Sequence, residues 1–205
     1  KSWSEGTDGA PTQKENLTYF FAYQLNYMYW RYFLWNFVGR QNDIQGHGEP
    51  EHGNWITGIP LLDNLRLGDQ ELLPESLRQN KGHNVFYALP LLLGLIGIYW
   101  QWMRGKKGMQ QFSVVFFLFF MTGLAIALYL NQPPGQPRER DYAYAGSFYA
   151  FAIWIGMGAA GLCDALRKKK SSVLQVGLLM FLCLLIPVQM ASQTWDDHDR
   201  SNRFT

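Results

Sequence analysis

Four apolar runs in the second half of the chain constrain the fold more than any other feature. A helix needs roughly 20 predominantly apolar residues to cross the hydrocarbon core of a bilayer. The runs lie at about 84–102, 112–130, 147–166 and 173–191. The first contains Pro90 and the last Pro187, and membrane helices tolerate proline when neighbouring groups satisfy the freed backbone. We therefore predict an all-α integral membrane protein with four transmembrane helices across residues 84–191.

Average composition says little, because the apolar residues are unevenly distributed. The 205-residue chain has a mean hydropathy of −0.15, a value that resembles a soluble protein. A net charge of +2 gives no argument for a nucleic-acid partner. Cys163 and Cys183 both fall inside apolar runs, so we interpret them as small hydrophobic residues rather than a disulfide. The chain begins at Lys1 and lacks a signal-peptide pattern, so we expect a piece of a longer polytopic protein.

Seven cations in two short turns predict the orientation in the membrane. The sequence "RGKK" follows the first apolar run and "RKKK" follows the third, whereas the loop between the second and third runs carries as many acids as bases. The positive-inside rule then places the turns 103–108 and 167–172 in the cytoplasm. Residues 1–83, 131–146 and 192–205 are predicted to lie on the extracytoplasmic side.

The first 83 residues are predicted to form an extracytoplasmic and interfacial segment. Residues 17–38, "LTYFFAYQLNYMYWRYFLWNFV", are long enough to span a bilayer, but four polar residues interrupt them: Gln24, Asn26, Arg31 and Asn36. We prefer a helix that lies at the outer interface, or packs on the outer end of the bundle, over a fifth span. A connection of some 45 residues follows at 39–83, and its apolar residues favour an ordered, functional loop over a disordered one.

The loop "NQPPGQPRERDYAYAGS" at 131–147 is stiff and dense in charge. Its prolines fix φ and remove backbone donors, which favours an extended conformation. In an extended "PRERD", Arg138 and Arg140 point to one side, and Glu139 and Asp141 point to the other. Two guanidiniums aimed at one place suit a phosphate such as that of a lipid carrier. The alternative is that these arginines pair with neighbouring acids or headgroups and only anchor the helices.

Two further polar stretches are candidate sites. "GRQNDIQGHGEPEHGNW" at 39–55 contains His47 and His52, but no spacing typical of zinc, so we predict no metal site and consider a divalent metal improbable. We interpret this stretch as a polar lining able to hydrogen-bond a hydroxylated ligand; a solvated loop is the alternative. "TWDDHDRSNR" at 194–203 is either a cation site or, as we prefer, the start of an extracytoplasmic tail.

The chain resembles a known family over nearly its whole length. The stretches that carry the resemblance are "YFFAYQLNYMYWRYFLWNFVGRQNDIQGHGE", "HGNWITGIP", "NKGHNVFYALPLLLGL", "FFLFFMTGLAIALYLNQPPGQPRERDYAYAGSFYAFAIWIG" and "SQTWDDHDRSNRFT". They resemble large bacterial inner-membrane proteins that group with a eukaryotic transmembrane protein O-mannosyltransferase, in the C superfamily of glycosyltransferases. The chain is similar to the later part of the membrane domain of such proteins.

The resemblance implies a transferase that moves a mannose-like sugar from a polyprenyl phosphate to a protein hydroxyl at the extracytoplasmic face of the inner membrane. Arg138 and Arg140 would bind the lipid phosphate, and Tyr142 and Tyr144 would orient the carrier. The sugar or the acceptor would meet a second group of residues: Arg31, Arg40, Asn42, His47 and His52. The catalytic carboxylate of the family lies in a first outer loop that has no match here, which leaves Asp43 as the candidate within the chain.

Two other functions remain open at this point. A non-catalytic membrane scaffold or assembly subunit would use the outer loops to bind another membrane subunit. A lipid or polysaccharide transporter would need a polar path through the bilayer, but the first, second and fourth apolar runs contain no acidic residue. Transport that depends on buried ionisable groups is therefore disfavoured. The partners that we expect are the bilayer, a lipid-linked sugar, an acceptor protein and the rest of the same protein.

Overall fold

The structure is a computed structural model that describes residues 11–46, 48–133 and 140–198. The described part is mainly helical, with one small sheet. Among the described residues, three helices are long and apolar enough to cross a membrane, at Gly105–Leu130, Tyr142–Lys168 and Val173–Trp195. This is consistent with the predicted all-α, multi-pass membrane protein. Both cysteines are free thiols, in agreement with their interpretation as small hydrophobic residues.

The predicted aromatic segment forms one continuous helix in three stretches, hereafter the aromatic helix. An α-helical turn, α1 (Gln13–Thr18), leads into a π-helical stretch (Tyr19–Trp30) and then into α2 (Arg31–Phe37). A capping box starts the helix, because the Thr12 hydroxyl accepts from the backbone of Glu15, whose carboxylate accepts from the Thr12 N–H at 2.7 Å. The wide π-helical turns stack rings four residues apart, with Tyr23 and Tyr27 centroids at 5.7 Å.

Five helices make up the bundle. They are α5 (Leu89–Trp102), α6 (Gly105–Thr122), α7 (Leu124–Leu130), α8 (Ala145–Lys168) and α9 (Val173–His198). The first predicted span is shorter than expected, since α5 has only 14 residues, or about 21 Å of rise. Its predicted beginning is taken up by a strand at Asn84–Val85 and by the positive φ of Tyr87 and Ala88. Four spans therefore remain a prediction.

Contact between glycines holds α5 against α8. A Cβ built on Gly97 would lie 1.9 Å from the carbonyl oxygen of Trp154, and one built on Gly158 would lie 1.9 Å from that of Leu93. The two backbones therefore touch, as expected where lipid provides no hydrophobic drive and small residues allow close approach. The Trp154 indole N–H also donates to the buried Gln101 side chain across this contact at 2.9 Å.

The aromatic helix packs into the bundle where α6 gives way to α7. The break falls at Gly123, and a Cβ there would lie 2.5 Å from the Tyr29 hydroxyl, so only glycine leaves room for this ring. Tyr29 is fully buried and contacts Phe119 of α6 at a centroid distance of 6.3 Å. Phe37, two turns further along, packs on Phe151 of α8 at 4.6 Å. Ring contacts therefore fix the aromatic helix across one end of the bundle.

The predicted loop 39–83 is ordered by short elements. Strand β1 (Gly39–Arg40) pairs antiparallel with β2 (Asn84–Val85) and closes the base of the segment. Three short helical pieces lie between the strands: α3 (Pro60–Leu67), a 3₁₀ turn (Gln70–Leu72) and α4 (Glu75–Arg78). The last helix of the bundle holds this base in place, because Gln189 and Gln193 of α9 hydrogen-bond the backbone carbonyl and N–H of Val85.

Helix α9 extends beyond the predicted span. The last apolar run ends near residue 191, yet the helix continues to His198, into the predicted tail. Pro187 lies inside it. Only 6% of its most apolar window is buried, so most of its surface faces outward from the rest of the bundle. The sequence rule for span length predicted the apolar part of α9 but not the polar turns that continue the helix.

Replacing Gly97 with alanine tests the glycine contact. We expect Gly97→Ala to lower the free energy of unfolding by about 1–3 kcal/mol, since the added methyl group meets the backbone of α8 and forces the helices apart. The matched control is Gly156→Ala on α8, where an added Cβ meets nothing within 4 Å. Circular dichroism would follow the thermal unfolding of both variants in detergent. Equal stability of the two variants would contradict the contact.

Candidate functional site

A cavity of about 440 Å³ lies where the aromatic helix, the β1–β2 base, the start of α8 and the end of α9 meet. Polar groups on its wall come from four parts of the chain: Asn36, Arg40, Asn84, Tyr142 and Thr194. Its apolar surface includes Trp35, Phe86, Phe148 and Met190. We call this space the candidate cavity. Its volume falls within the range of small-molecule sites, roughly 300–1,000 Å³.

Arg40 supplies the positive charge of the candidate cavity. Its Nε donates to the carbonyl oxygen of Gly82 at 2.7 Å, and its guanidinium lies 5.5 Å from the Trp35 ring centroid. With the Asn84 amide turned to its satisfied orientation, the side-chain oxygen of Asn84 accepts from Arg40 at 3.3 Å. Among the described residues that line the candidate cavity, none is acidic. The described lining residues therefore carry one positive charge, that of Arg40.

The predicted phosphate-binding residues differ in their exposure and in whether they line the candidate cavity. Arg138 lies outside the described residues, and Arg140 is exposed just before the 3₁₀ turn Asp141–Tyr144. Tyr142 is 66% exposed and lines the candidate cavity, as Arg40 does. Tyr144 is only 1% exposed and packs edge-on against Tyr29 at 5.4 Å, so it belongs to the packing rather than to the cavity wall. Phosphate binding by the two loop arginines stays a prediction.

Two of the predicted sugar or acceptor residues are buried in the structure. Arg31 is 5% exposed, and its guanidinium lies 3.9 Å from the Tyr27 ring centroid and donates to the Gly53 carbonyl at 3.2 Å. Asn42 has no exposed surface: its amide donates to Glu51 and accepts from the N–H of Gly53 at 2.8 Å each. Both side chains therefore tie the segment 42–53 to the aromatic helix or to itself, and neither contacts the candidate cavity.

The remaining predicted residues also lie away from the candidate cavity. His47 lies outside the described residues, and His52 is half-buried against Gly46. Asp43, the catalytic candidate, is exposed, and its backbone N–H donates to the side chain of Asn80 at 3.4 Å. Across residues 11–46, 48–133 and 140–198, no group of three His, Cys, Asp or Glu side chains is arranged to hold a metal ion. The described residues that line the candidate cavity include a cation and hydrogen-bonding groups but no Asp, Glu or His.

Sequence reasoning gave no role to several residues of the cavity wall. In the sequence, Asn36 is only a polar interruption of an apolar segment, and Asn84 is only the start of a predicted span. Asn36 lies four residues before Arg40, and its amide donates to the Tyr32 carbonyl at 2.7 Å. The signal for Asn36 was its polarity within an aromatic run. Asn84 and Thr194 had no such signal, since they reach the site only through folding.

A second, smaller cavity of about 220 Å³ lies within the loop segment. Its lining is mainly apolar, with Glu71, Arg78 and His83 among its polar residues. Nearby, Asp63 accepts from the N–H groups of Thr57 and Gly58 at 2.8 Å each and so fixes the start of α3. These contacts make the loop segment a small folded unit with a groove of its own.

A contact between a cation and an aromatic ring accompanies this folding. The Arg66 guanidinium lies 3.9 Å from the Trp55 ring centroid and donates to the Trp55 carbonyl. Desolvation lowers the pKa of Arg66, and the negative charge of Asp63 opposes that shift. The guanidinium nevertheless stays charged at neutral pH, because an arginine titrates far above it. Arg66 thus acts as a clamp between α3 and the segment before it.

Comparison with known proteins adds no relative: the chain matches no family model, no curated protein and no solved structure.

Removing the Asn42 side chain tests its role as an anchor. We expect Asn42→Ala to lower the free energy of unfolding by about 1–3 kcal/mol, because buried backbone groups of Glu51 and Gly53 lose their partners. Limited proteolysis should then cut the segment 42–53 faster. The control is Asp43→Ala, which removes an exposed neighbour. Equal proteolysis of the two variants would contradict the anchoring role.

Proposed function

We propose that the chain is part of a membrane glycosyltransferase and that the candidate cavity holds the phosphate of a polyprenyl-phosphate sugar donor. One observation carries the proposal: a cavity at the end of an apolar bundle has an arginine, two tyrosines and several apolar side chains among its described lining residues. A lipid-linked anion needs both a cation and an adjacent apolar surface. Arg40 provides the first, and Phe148 of α8 and Met190 of α9 provide the second.

In this proposal, Arg40 and its neighbours bind the phosphate together with the two loop arginines. A guanidinium gives paired, charge-assisted hydrogen bonds to phosphate oxygens and stays charged. The contacts of Arg40 with Gly82 and Trp35 hold it in place before a ligand arrives. Tyr142 adds a hydroxyl-bearing side chain to the same cavity wall, and Arg140 lies two residues earlier, just before the 3₁₀ turn. We propose that Arg138 and Arg140 supplement this charge from the loop.

The orientation of the bundle is part of the proposal. The cavity lies at the ends of the helices opposite to the basic turns, since α5 and α8 start near it and end at Arg104 and Arg167. If the basic turns face the cytoplasm, as the positive-inside rule predicts, the cavity opens at the extracytoplasmic surface of the inner membrane. A prenyl chain would then lie beside α8 and α9 with its phosphate at the cavity.

The proposed sugar transfer develops negative charge on the lipid phosphate that leaves. A carboxylate removes the proton from an acceptor serine or threonine hydroxyl, and the oxygen attacks the anomeric carbon of the sugar. The bond from that carbon to the phosphate oxygen breaks, and the lipid phosphate leaves with the electron pair. Arg40 and Tyr142 stabilise the negative charge that develops there. Asp43 lies outside the cavity wall, so we propose that the carboxylate comes from the remaining part of the protein.

The small loop cavity suits the acceptor. Its lining surface is mainly apolar with several polar side chains, which fits an apolar side chain of a peptide whose backbone contacts the polar groups. It lies in the same folded segment as Arg40, because Gln41 and Val85 of its lining are neighbours of Arg40 and Asn84. An acceptor held there would be near the donor phosphate.

A scaffold function is the second candidate, and one observation favours it. Helix α3 carries exposed leucines, of which Leu61 is 73% and Leu65 is 81% exposed. Such a surface outside the bundle fits docking of another protein subunit. A scaffold would use α3 and would not need Arg40. Substitution of Leu61 and Leu65 with serine would then disrupt assembly, whereas substitution of Arg40 would have no effect on it.

The decisive experiment incubates the full-length protein with a labelled polyprenyl-phosphate mannose and a peptide that carries serine and threonine. We expect Arg40→Gln to reduce transfer about 10²–10³-fold, as is typical for loss of one donor to a developing negative charge. Lys81→Gln, which removes an exposed cation from the same segment, should leave transfer unchanged.

Further variants separate catalysis from folding. Arg40→Lys keeps the charge and should retain more activity than Arg40→Gln, and Tyr142→Phe should reduce transfer by less than Arg40→Gln. Thermal unfolding of each variant checks that the fold persists. Full transfer by Arg40→Gln would overturn the assignment of the phosphate site. Absence of transfer by the native protein with any lipid-linked sugar would favour the scaffold.

A further inference from the structure

A groove of about 580 Å³ lies at the opposite end of the bundle from the candidate cavity, between α5, α8 and α9. Most of its wall is apolar and made of short or flexible side chains: Gly156, Ala159, Ala160, Met180, Leu184 and Pro187. The groove ends at two arginines. Arg104 lies just after the end of α5, and Arg167 lies in the last turn of α8. We call it the basic-end groove.

The basic-end groove exists because α9 stands away from its neighbours. Gly156 has open space where its Cβ would be, in contrast to Gly158, which touches the backbone of α5. At membrane depth such a space is not filled by water, because the groove offers an apolar wall without hydrogen-bond partners along most of its length. Its natural occupant is therefore a hydrocarbon chain.

The charged end selects the headgroup. Asp164 is already engaged: it accepts from the Trp100 indole N–H at 3.3 Å and pairs with Lys168 at 3.2 Å. The Arg104 guanidinium lies over the Trp100 ring at 4.5 Å. Within the part of the chain that the structure describes, Arg167 forms neither an ion pair nor a hydrogen bond through its side chain. Two guanidiniums at the end of an apolar groove therefore present a surplus of positive charge.

We propose that the basic-end groove binds one phospholipid with a net negative headgroup. Its phosphodiester lies between Arg104 and Arg167, and one acyl chain runs along Gly156 and Ala160 towards Pro187. Arginine forks match phosphate geometry, which gives the specificity for a phosphate over a neutral lipid. Bound there, the lipid fills the space between α8 and α9 and fixes the position of α9. The site does not depend on the proposed transferase activity.

The charge at one end of the groove favours a lipid as its occupant. The lining extends from Arg104 near the basic end to Pro187 in the second half of α9. An apolar space with cations at one end fits an extended acyl chain and its phosphate.

Native mass spectrometry of the full-length protein in mild detergent tests the proposal. We expect one phosphatidylglycerol to be retained in preference to phosphatidylcholine when both are supplied in equal amounts. Arg104→Gln combined with Arg167→Gln should reduce retention at least 10-fold. The matched control combines Lys106→Gln with Lys169→Gln, which removes two cations from the same two turns without changing the groove lining. This control should retain the lipid as the native protein does.

A second pair of variants keeps every charge and changes only the space. Ala160→Phe fills the groove and should abolish retention of phosphatidylglycerol. Ala152→Phe, on the exposed surface of α8 outside the groove, should have no effect. Circular dichroism confirms that the variants fold, and the space-filling pair decides the question even if the arginine pair does not fold.

Other results would overturn the proposal. Equal retention of the two lipids, or retention unaffected by either the arginine pair or Ala160→Phe, would mean that lipid only surrounds the protein. Displacement of the bound lipid by soluble glycerol phosphate would show that the cations bind a free anion without use of the groove. A stable dimer lost on Ala160→Phe would show that a second copy covers the groove.

Discussion

The backbone contact between α5 and α8 at Gly97 and Gly158 determines the position of almost every other feature. The two helices meet without intervening side chains, so neither can shift without a clash of main-chain atoms. Helix α5 is short, and its two ends therefore have fixed positions relative to α8. The start of α5 carries β2 and, through it, Arg40 of the candidate cavity. The end of α5 carries Trp100 and Arg104 of the basic-end groove.

The sequence predicts the helices of the bundle better than the ends of those helices. Apolar length is a property of a segment alone, so the helices at 105–130, 142–168 and 173–195 were predictable. The late start of α5 depends on pairing of Asn84 with Arg40 and on two residues with positive φ, which no apolar pattern reveals. The continuation of α9 to His198 depends likewise on contacts with Val85.

Polar residues were harder to assign, because a polar side chain in an aromatic segment serves packing as readily as binding. Arg31 and Arg40 are both near the aromatic rings of Trp35, yet Arg31 is enclosed by its hydrogen bond to Gly53, whereas Arg40 lines a cavity. Tyr142 and Tyr144 differ in the same way, since the 3₁₀ turn directs one to the cavity and the other into the core. The sequence identifies candidate residues, but the direction in which each side chain points depends on the tertiary structure.

Charged side chains lie beside lipid-facing surface at both ends of the bundle, and the two ends hold these charges with different partners. At the basic end, Asp164 pairs with Lys168 and accepts from the Trp100 indole N–H, and Arg104 and Arg167 line the end of an apolar groove. At the other end, Arg40 contacts a carbonyl, an amide and a ring at the wall of the candidate cavity. These contacts orient the guanidinium, and an oriented guanidinium is what the proposed binding site for a lipid-linked anion requires.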